Sequence, residues 1–367
     1  MTPPTGRPVP ESPDPVLLDS RLLQDVTEDL LMAVGSPHDL ARIVATSLVT
    51  SNLLGHDSHG VLRVPRYVAA VRDGQVDPAA RATFARQRPA TGRVDGHWGW
   101  GQPAAALATA TATELAAATG VAAVTIERCN HVGRLGEHVA AIAGAGMVGV
   151  ALCNAEAAVA PFGGIERVLG TNPIAMACPT AAGPPVVFDI STAAVAEGKL
   201  SVARAAGARI APGAVIDAAG GQTTDPAAFY DGGALLPFGG HKGYGLSVFV
   251  EILGGILSGS GASSSPQYSH GNGTLVIAID PEAFVERGRF LDEVAFLARR
   301  LTASAPAAGD RPQMPGEPES RTKAARLRDG VPMAASIWRE IVALGGTLDL
   351  DTSTWMVREP LAWPRGA

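Results

Sequence analysis

Gly144-Ala145-Gly146-Met147-Val148-Gly149 spells G-x-G-x-x-G, and Glu166 follows at about the twenty-residue spacing of a dinucleotide fingerprint. A Rossmann site needs a strand before those glycines and a helix after them, so that helix N–H groups face the pyrophosphate. Here the order is reversed. Helical spacing runs through residues 137–143, and a β-rich run follows over 148–154. The six residues therefore read as a glycine turn from helix to strand, and any dinucleotide is held elsewhere in the chain.

Working outward, the middle of the chain alternates helical and β-rich runs. Residues 121–126, 148–154, 174–178, 186–190 and 274–279 read as strands. Residues 104–118 form an alanine-rich helix stopped by Gly120, and residues 193–204 read as another helix. Residues 244–257 read as a long apolar helix buried on most sides. The ends are helical: 17–54 as two helices parted at Ser36-Pro37, a short helix after Pro65, and 322–344 after a loop at 303–319. The mixture predicts an α/β core. Residues 86–284 are expected to form the α/β unit that binds cofactor and substrate. Residues 16–85 with 285–367 are expected to form a helical subdomain. Residues 1–15 hold six prolines and almost no large apolar side chain, and read as a disordered tail.

Composition narrows the function. With 46% apolar and 17% charged residues the chain is an ordinary globular one. Its net charge of −6 is spread without a basic stripe, which argues against a nucleic-acid partner. No uncharged stretch reaches membrane-spanning length. The three cysteines, Cys129, Cys153 and Cys178, form no C-x-x-C pair; they read as free thiols of a reducing compartment, and the expected location is the cytoplasm.

The chemistry concentrates in residues 55–67, GHDSHGVLRVPRY. His56 and His59 at i,i+3 allow a metal site, but no second cluster of ligands at metal spacing stands out, so no metal is expected. Both histidines also suit turns and helix ends. The third reading is acid/base catalysis beside a carboxylate clamp. A carbonyl that receives hydride becomes an alkoxide and needs a proton, which imidazole supplies near neutral pH. A planar guanidinium grips a carboxylate through two bonds. His59 and Arg63 share a face if the segment is helical. A second cluster, Cys129-Asn130-His131-Val132-Gly133-Arg134, follows a strand. Asp189 sits near the end of the 186–190 strand, before Ser191-Thr192, as a helix cap or as the support of a histidine. Residues 239–245, GGHKGYG, place glycines and Lys242 before a helix, suited to a phosphate or to a turn, without Walker A spacing.

Read together, these segments resemble the malate/L-lactate dehydrogenase family that is unrelated to Rossmann-type dehydrogenases. The marks are GHDSHGVLRVPRY, NHVGRLGEH (130–138), PFGG (161–164), LGTNPIAMACP (169–179), FDIST (188–192), Gly198-Lys199, PFGGHKGYGL (237–246), GNGTLVIAIDPEAF (271–284) and PGEPE (315–319). The resemblance implies a non-Rossmann α/β fold, a central mixed sheet with flanking helices, plus a helical subdomain from both termini. It implies a homodimer and NAD or NADP as cofactor. It implies hydride transfer between a small 2-oxo carboxylate and its 2-hydroxy acid, or reduction of a cyclic 2-imino carboxylate. His59 resembles the proton carrier, Asp189 its acidic support and His131 a second histidine competing for the role. Arg63, Tyr67, Arg134, Thr171 and Asn172 resemble substrate contacts. Asp189, Ile190, Ser191, Thr192, His241, Lys242, Gly316 and Glu317 resemble cofactor contacts. Val132-Gly133-Arg134 departs from the phenylalanine common after the second histidine and resembles the hydroxycarboxylate dehydrogenase branch. A catalytically silent binding protein on the same fold is the reading from another class, and the intact His59, Arg63, His131, Asp189 and Lys242 weigh against it.

Overall fold

The structure is a computed structural model that describes residues 15–355, apart from 206, 267, 269 and 308–310. The tail expected over 1–15 lies, except for Pro15, outside the described residues. The chain begins with a short strand β1 (Val16–Leu18), then α1 (Ser20–Ala33) and α2 (His38–Leu53). Asp19 caps α1 by accepting from the Arg21 and Leu22 N–H groups. Two single 3₁₀ turns, Asp57–His59 and Val61–Arg63, lead into α3 (Val64–Arg72), whose Pro65 sits in the first turn where no N–H is needed.

A hairpin of β2 (Thr83–Arg88) and β3 (Thr91–Asp95) opens the sheet, followed by α4 (Gly101–Thr119), β4 (Val121–Glu127), α5 (Leu135–Gly144), β5 (Val148–Cys153), β6 (Ile174–Cys178) and β7 (Val186–Ile190). The G-x-G-x-x-G segment is thus the turn between α5 and β5, as its helix-then-strand order requires. After α6 (Glu197–Ala205) come β8 (Val215–Ile216), β9 (Gln222–Thr223), α7 (Ala227–Tyr230), β10 (Ala234–Leu235) and α8 (His241–Val250), which runs on as a π-helical segment, Glu251–Ile256. The chain continues with β11 (Thr274–Ile279), α9 (Arg287–Thr302), α10 (Glu317–Asp329), β12 (Val331–Met333) and α11 (Ala335–Thr347).

Seven strands form the main sheet in the order β2-β3-β4-β11-β5-β6-β7, parallel between β3 and β4 and antiparallel elsewhere. β11 arrives late in sequence and inserts between β4 and β5, which closes the middle of the sheet. Ala104, Ala105, Ala108, Ala112 and Ala116 of α4 are fully buried, and these small side chains let the helix lie close to the strands. On another cluster, Val250 packs with Leu152, Ile174 and Leu275, which sets α8 against the strands as well. A separate apolar core joins Leu23, Val26, Leu30, Leu48 and Val64 to Val331, Trp338 and Ile341, so both ends of the described chain share one core. Burying each such leucine contributes about 1.5–3 kcal/mol.

Three helix expectations change. The 193–204 run is helical only from Glu197. The 322–344 run is two helices parted by β12, which pairs with β1. The 244–257 run starts at His241 and is not buried on most sides: Phe249, Ile252, Ile256 and Leu257 are exposed. Apolar periodicity reports that a helix face seeks cover, and it does not say whether the same chain provides that cover.

Candidate active site

The GHDSHGVLR segment is shaped by the turn that closes α2 after Leu53: Gly55 takes a φ of +86° that suits glycine, and His56 N–H closes back on Ser51 O at 2.9 Å. Asn52 then braces the turns. Its Oδ1 accepts from Val61 N–H at 2.8 Å and its Nδ2 donates to Asp57 Oδ1 at 2.7 Å. Arg326 of α10 holds both Asp57 oxygens, at 2.6 and 3.0 Å. The two 3₁₀ turns, rather than one helix, carry His59 and Arg63, so the expected shared helix face is not formed. Both side chains nevertheless line one cleft.

That cleft holds about 430 Å³. His59, Arg63, Tyr67, His131 and Thr171 of the expected residues line it, together with Arg66 and Asn272, which the sequence reading did not single out. His131 stands on the loop after β4. Asn130 Nδ2 donates to Trp98 O at 2.9 Å and Gly99 O at 3.0 Å, and Asn272 Oδ1 accepts from Val132 N–H at 3.2 Å, so the loop is held on both sides. Gly101 lies so close beneath it that a Cβ would come within 2.2 Å of His131 O. The rings of His59 and His131 stack with centroids 5.5 Å apart.

The two imidazoles are anchored differently. His59 Nδ1 lies 3.1 Å from the Ser58 hydroxyl, a neighbour in sequence. His131 Nδ1 lies 2.7 Å from the Tyr67 hydroxyl, which in turn accepts from Gln102 Nε2 at 2.9 Å. No other hydrogen bond of the His131 ring is formed among the described residues, so Nε2 is left for the cleft. Burial, then the nearby Arg63, His56 and Arg134, push His59 down to about 3. Burial, then Arg63, His59 and Arg66, hold His131 well below its ordinary value. Burial pushes the Tyr67 phenol up to about 12, so it stays protonated and can donate. Both rings are neutral at pH 7 until a negative charge joins them. Arg63 supplies the place for that charge. Its Nε donates to Ser58 O at 2.7 Å, no carboxylate among the described residues comes within ion-pair distance, and burial works against its cation, with Glu197 and Glu156 opposing more weakly.

Asp189 does not support His59. Its Oδ2 accepts from Gly136 N–H at 2.7 Å and lies 3.5 Å from Arg134 Nη1, with both side chains nearly inaccessible. Burial raises its carboxyl, with Arg134 opposing. Arg134 is thereby committed to Asp189 and does not line the first cleft. Asn172 also turns away. It is fully buried, and its Nδ2 donates to Ser247 and to Glu251 Oε1, at 3.0 and 2.8 Å. Its neighbour Thr171 faces the cleft instead. A sequence shows that Asp189 and Asn172 are polar and near strand ends, but not which way each side chain leaves the backbone.

A second cleft, of about 470 Å³, lies along β7 and the start of α10. Asp189, Ile190 and Gly316 line it, with Arg311 and Glu319. Glu317 opens α10 beside it. His56 reaches Glu319 at 3.6 Å, three residues before His59. Ser191 Oγ and Thr192 Oγ1 both donate to Thr171 O, at 2.8 and 3.1 Å, and Thr192 O accepts from Phe238 N–H at 3.0 Å. That contact brings the Asp189–Thr192 segment beside the loop leading to His241-Lys242, although neither of the latter two lines either cleft. Trp98 and Trp100 also find a place. Trp98 stacks on His270 at 4.3 Å in the cleft wall, and Trp100 Nε1 donates to Ser36 Oγ at 3.0 Å.

The sequence matches the malate/L-lactate dehydrogenase family over residues 18–342. The chain belongs to that family. The L-sulfolactate dehydrogenase of Methanocaldococcus jannaschii is 35% identical over 335 residues, covering 89% of this chain and 96% of that one. A Delta(1)-pyrroline-2-carboxylate reductase of Burkholderia multivorans is 37% identical over 331 residues, covering 87% and 96%. The solved structure of the M. jannaschii sulfolactate dehydrogenase superposes with a TM-score of 0.84 at 33% identity, covering 92% of this chain and 99% of that one. As a member of the malate/L-lactate dehydrogenase family the chain is an oxidoreductase of the dehydrogenase and reductase kind. No helix among the described residues is long and apolar enough to cross a membrane, and no group of three or more His, Cys, Asp or Glu is gathered there for a metal.

Proposed function

We propose that this family member interconverts a small 2-oxo carboxylate and its 2-hydroxy acid with a nicotinamide dinucleotide. The observation that carries the reading is Arg63, a half-buried cation with no carboxylate at ion-pair distance among the described residues, in the same cleft wall as His59 and His131. A buried cation calls for an anion, and a planar guanidinium suits a carboxylate. Arg63 thus holds the acid and Thr171 faces the same space.

The residues fit the dinucleotide at the second cleft and its neighbourhood. Gly239 and Gly240 take φ of +56° and +63° just before the ten-residue α8, with His241 and Lys242 in its first turn. That arrangement suits an anionic pyrophosphate. Asp189, Ile190, Ser191, Thr192, Gly316 and Glu317 are the further residues that would hold the cofactor, which when bound supplies the hydride. Of the two imidazoles we assign the proton to His131, because the Tyr67–Gln102 chain orients its ring and leaves Nε2 open. His59 stacks against it, and its neutral ring limits how much cation the pocket holds. The bound carboxylate offsets Arg63 and lets His131 take up a proton, which it passes to the alkoxide oxygen.

The same cleft serves a cyclic 2-imino carboxylate, since an imine also accepts hydride at carbon, and the pyrroline-2-carboxylate reductase relative favours that second substrate class. A homodimer would cover the exposed Phe249, Ile252, Ile256 and Leu257. The buried, unpaired thiols Cys129 and Cys153 suit a cytoplasmic protein. The test is an activity matrix of NADH and NADPH against 2-oxo acids, pyrroline-2-carboxylate and piperideine-2-carboxylate, followed by cofactor absorbance. Oxidation of neither cofactor by any acid or imine would overturn the reading.

A further inference from the structure

Gln102 lies in the first turn of α4 and is 1% exposed. Its Nε2 donates to the Tyr67 hydroxyl, yet its Oε1 is buried with no hydrogen-bond partner. An unpaired buried acceptor is costly, and such exceptions ask for a reason. The side chain is also confined, since a Cβ on Gly133 would sit 3.3 Å from Gln102 Cγ.

The reason follows from counting protons. A phenol has one. While His131 is neutral with a bare Nδ1, Tyr67 gives that proton to Nδ1 and its oxygen accepts from the Gln102 amide. Once His131 is protonated, Nδ1–H donates to Tyr67, and the phenol proton needs another acceptor. A half-turn of the Gln102 amide puts Oε1 where Nε2 now stands, 2.9 Å from the phenol oxygen.

We propose that Gln102 is a positioning residue whose amide turns over when the resting His131 ring, with Nδ1 bare and Nε2–H, takes up a proton at Nδ1 and becomes the imidazolium, so that Tyr67 is fully hydrogen-bonded in both states. This rests on the reading of His131 as the proton carrier. The imidazolium gives its Nε2 proton to the substrate oxygen in reduction and keeps Nδ1–H on Tyr67, so Gln102 stays turned; in oxidation that Nδ1–H ring takes the substrate hydroxyl proton at Nε2. His59, Arg63 and Arg66 face His131 and oppose its charge, with the neutral Tyr67 behind it. Cys153, Glu156, Arg167, Glu197 and His270 complete the charged and titratable lining of the cleft. Apart from Tyr67, none of these groups is altered in the test below.

Gln102→Met removes donor and acceptor at nearly constant volume. With the best substrate from the activity matrix, kcat/KM near neutral pH is expected to fall about tenfold, because the protonated ring now leaves a phenol unpaired. The midpoint of the alkaline limb of the reductive pH profile should move down by about one unit, the same factor of ten in proton affinity. In a Tyr67→Phe background the substitution should change both by less than about twofold, since the hydroxyl it serves is gone. An equal loss in both backgrounds, or an unmoved limb, overturns the proposal and leaves Gln102 as packing alone. A wild-type protein inactive across the whole matrix overturns the proposed function, and this inference with it.

Discussion

The Tyr67 hydroxyl and His131 Nδ1 lie 2.7 Å apart although 64 residues separate them in sequence. The contact joins α3 to the loop after β4 and settles which of two stacked imidazoles is held in a fixed orientation. A general acid/base contributes about 10²–10⁴ in rate. His131→Ala is therefore expected to lower kcat at least about a hundredfold, and His59→Ala about tenfold, with cofactor affinity near wild type in both. Steady-state kinetics with cofactor binding by fluorescence checks this. The reverse ranking would return the role to His59.

Arg63 donates its Nε to Ser58 O, and its terminal nitrogens form no hydrogen bond among the described residues. Arg63→Lys keeps the charge and loses the planar fork. The expected outcome is a KM for the acid raised about tenfold or more, with kcat changed less, because binding is lost in ground and transition state alike. An unchanged KM would remove Arg63 from the carboxylate site.

Much of this was legible in the sequence, for reasons that differ by residue. The α5–β5 turn was readable because strand and helix periods differ, so the order around Gly144–Gly149 excluded a Rossmann site without any coordinates. His59, Arg63, Tyr67 and His131 stood out because titratable and planar cationic groups are rare at such density. Asp189, Arg134 and Asn172 were misplaced because their roles depend on side-chain direction. Asp189 meets Arg134 across 55 positions, and Asn172 meets Glu251 across 79. Gln102 passed unnoticed, although a lone amide at the start of an otherwise alanine-rich buried helix is itself a signal, since such a group needs a partner.

The Asp189–Arg134 pair separates structural support from catalysis. Asp189→Asn would leave a buried guanidinium facing a neutral amide. We expect a loss of about 2–3 kcal/mol in stability, seen as a lower urea midpoint, because the charge that the Gly136 N–H bond and the Arg134 contact both meet is gone. Because Asp189 lines the second cleft, cofactor affinity should fall with it. The pH dependence of kcat should be unmoved, because Asp189 does not touch His59 or His131. A shifted kcat profile with normal stability would restore Asp189 as the support of an imidazole.

Acid sensitivity follows from the depressed histidines, and its sign is fixed by linkage. His59 is pushed to about 3 in the folded chain, against an ordinary value of 6.5. Above pH 6.5 neither state binds the proton, and this residue adds no pH dependence. Between 6.5 and about 3 the unfolded chain binds it and the folded chain does not, so stability falls as pH falls, by up to about 1.4 kcal/mol per pH unit for the group. His131 acts in the same direction. Asp189, with its carboxyl raised, acts in the opposite one. The difference between wild type and a His59→Gln variant therefore isolates the histidine. Urea unfolding at pH 7.5, 6 and 5 should show wild type losing stability faster than the variant below pH 6.5 and in parallel above it. Equal slopes throughout would mean that the folded ring takes up its proton where the unfolded one does, so that burial does not depress it.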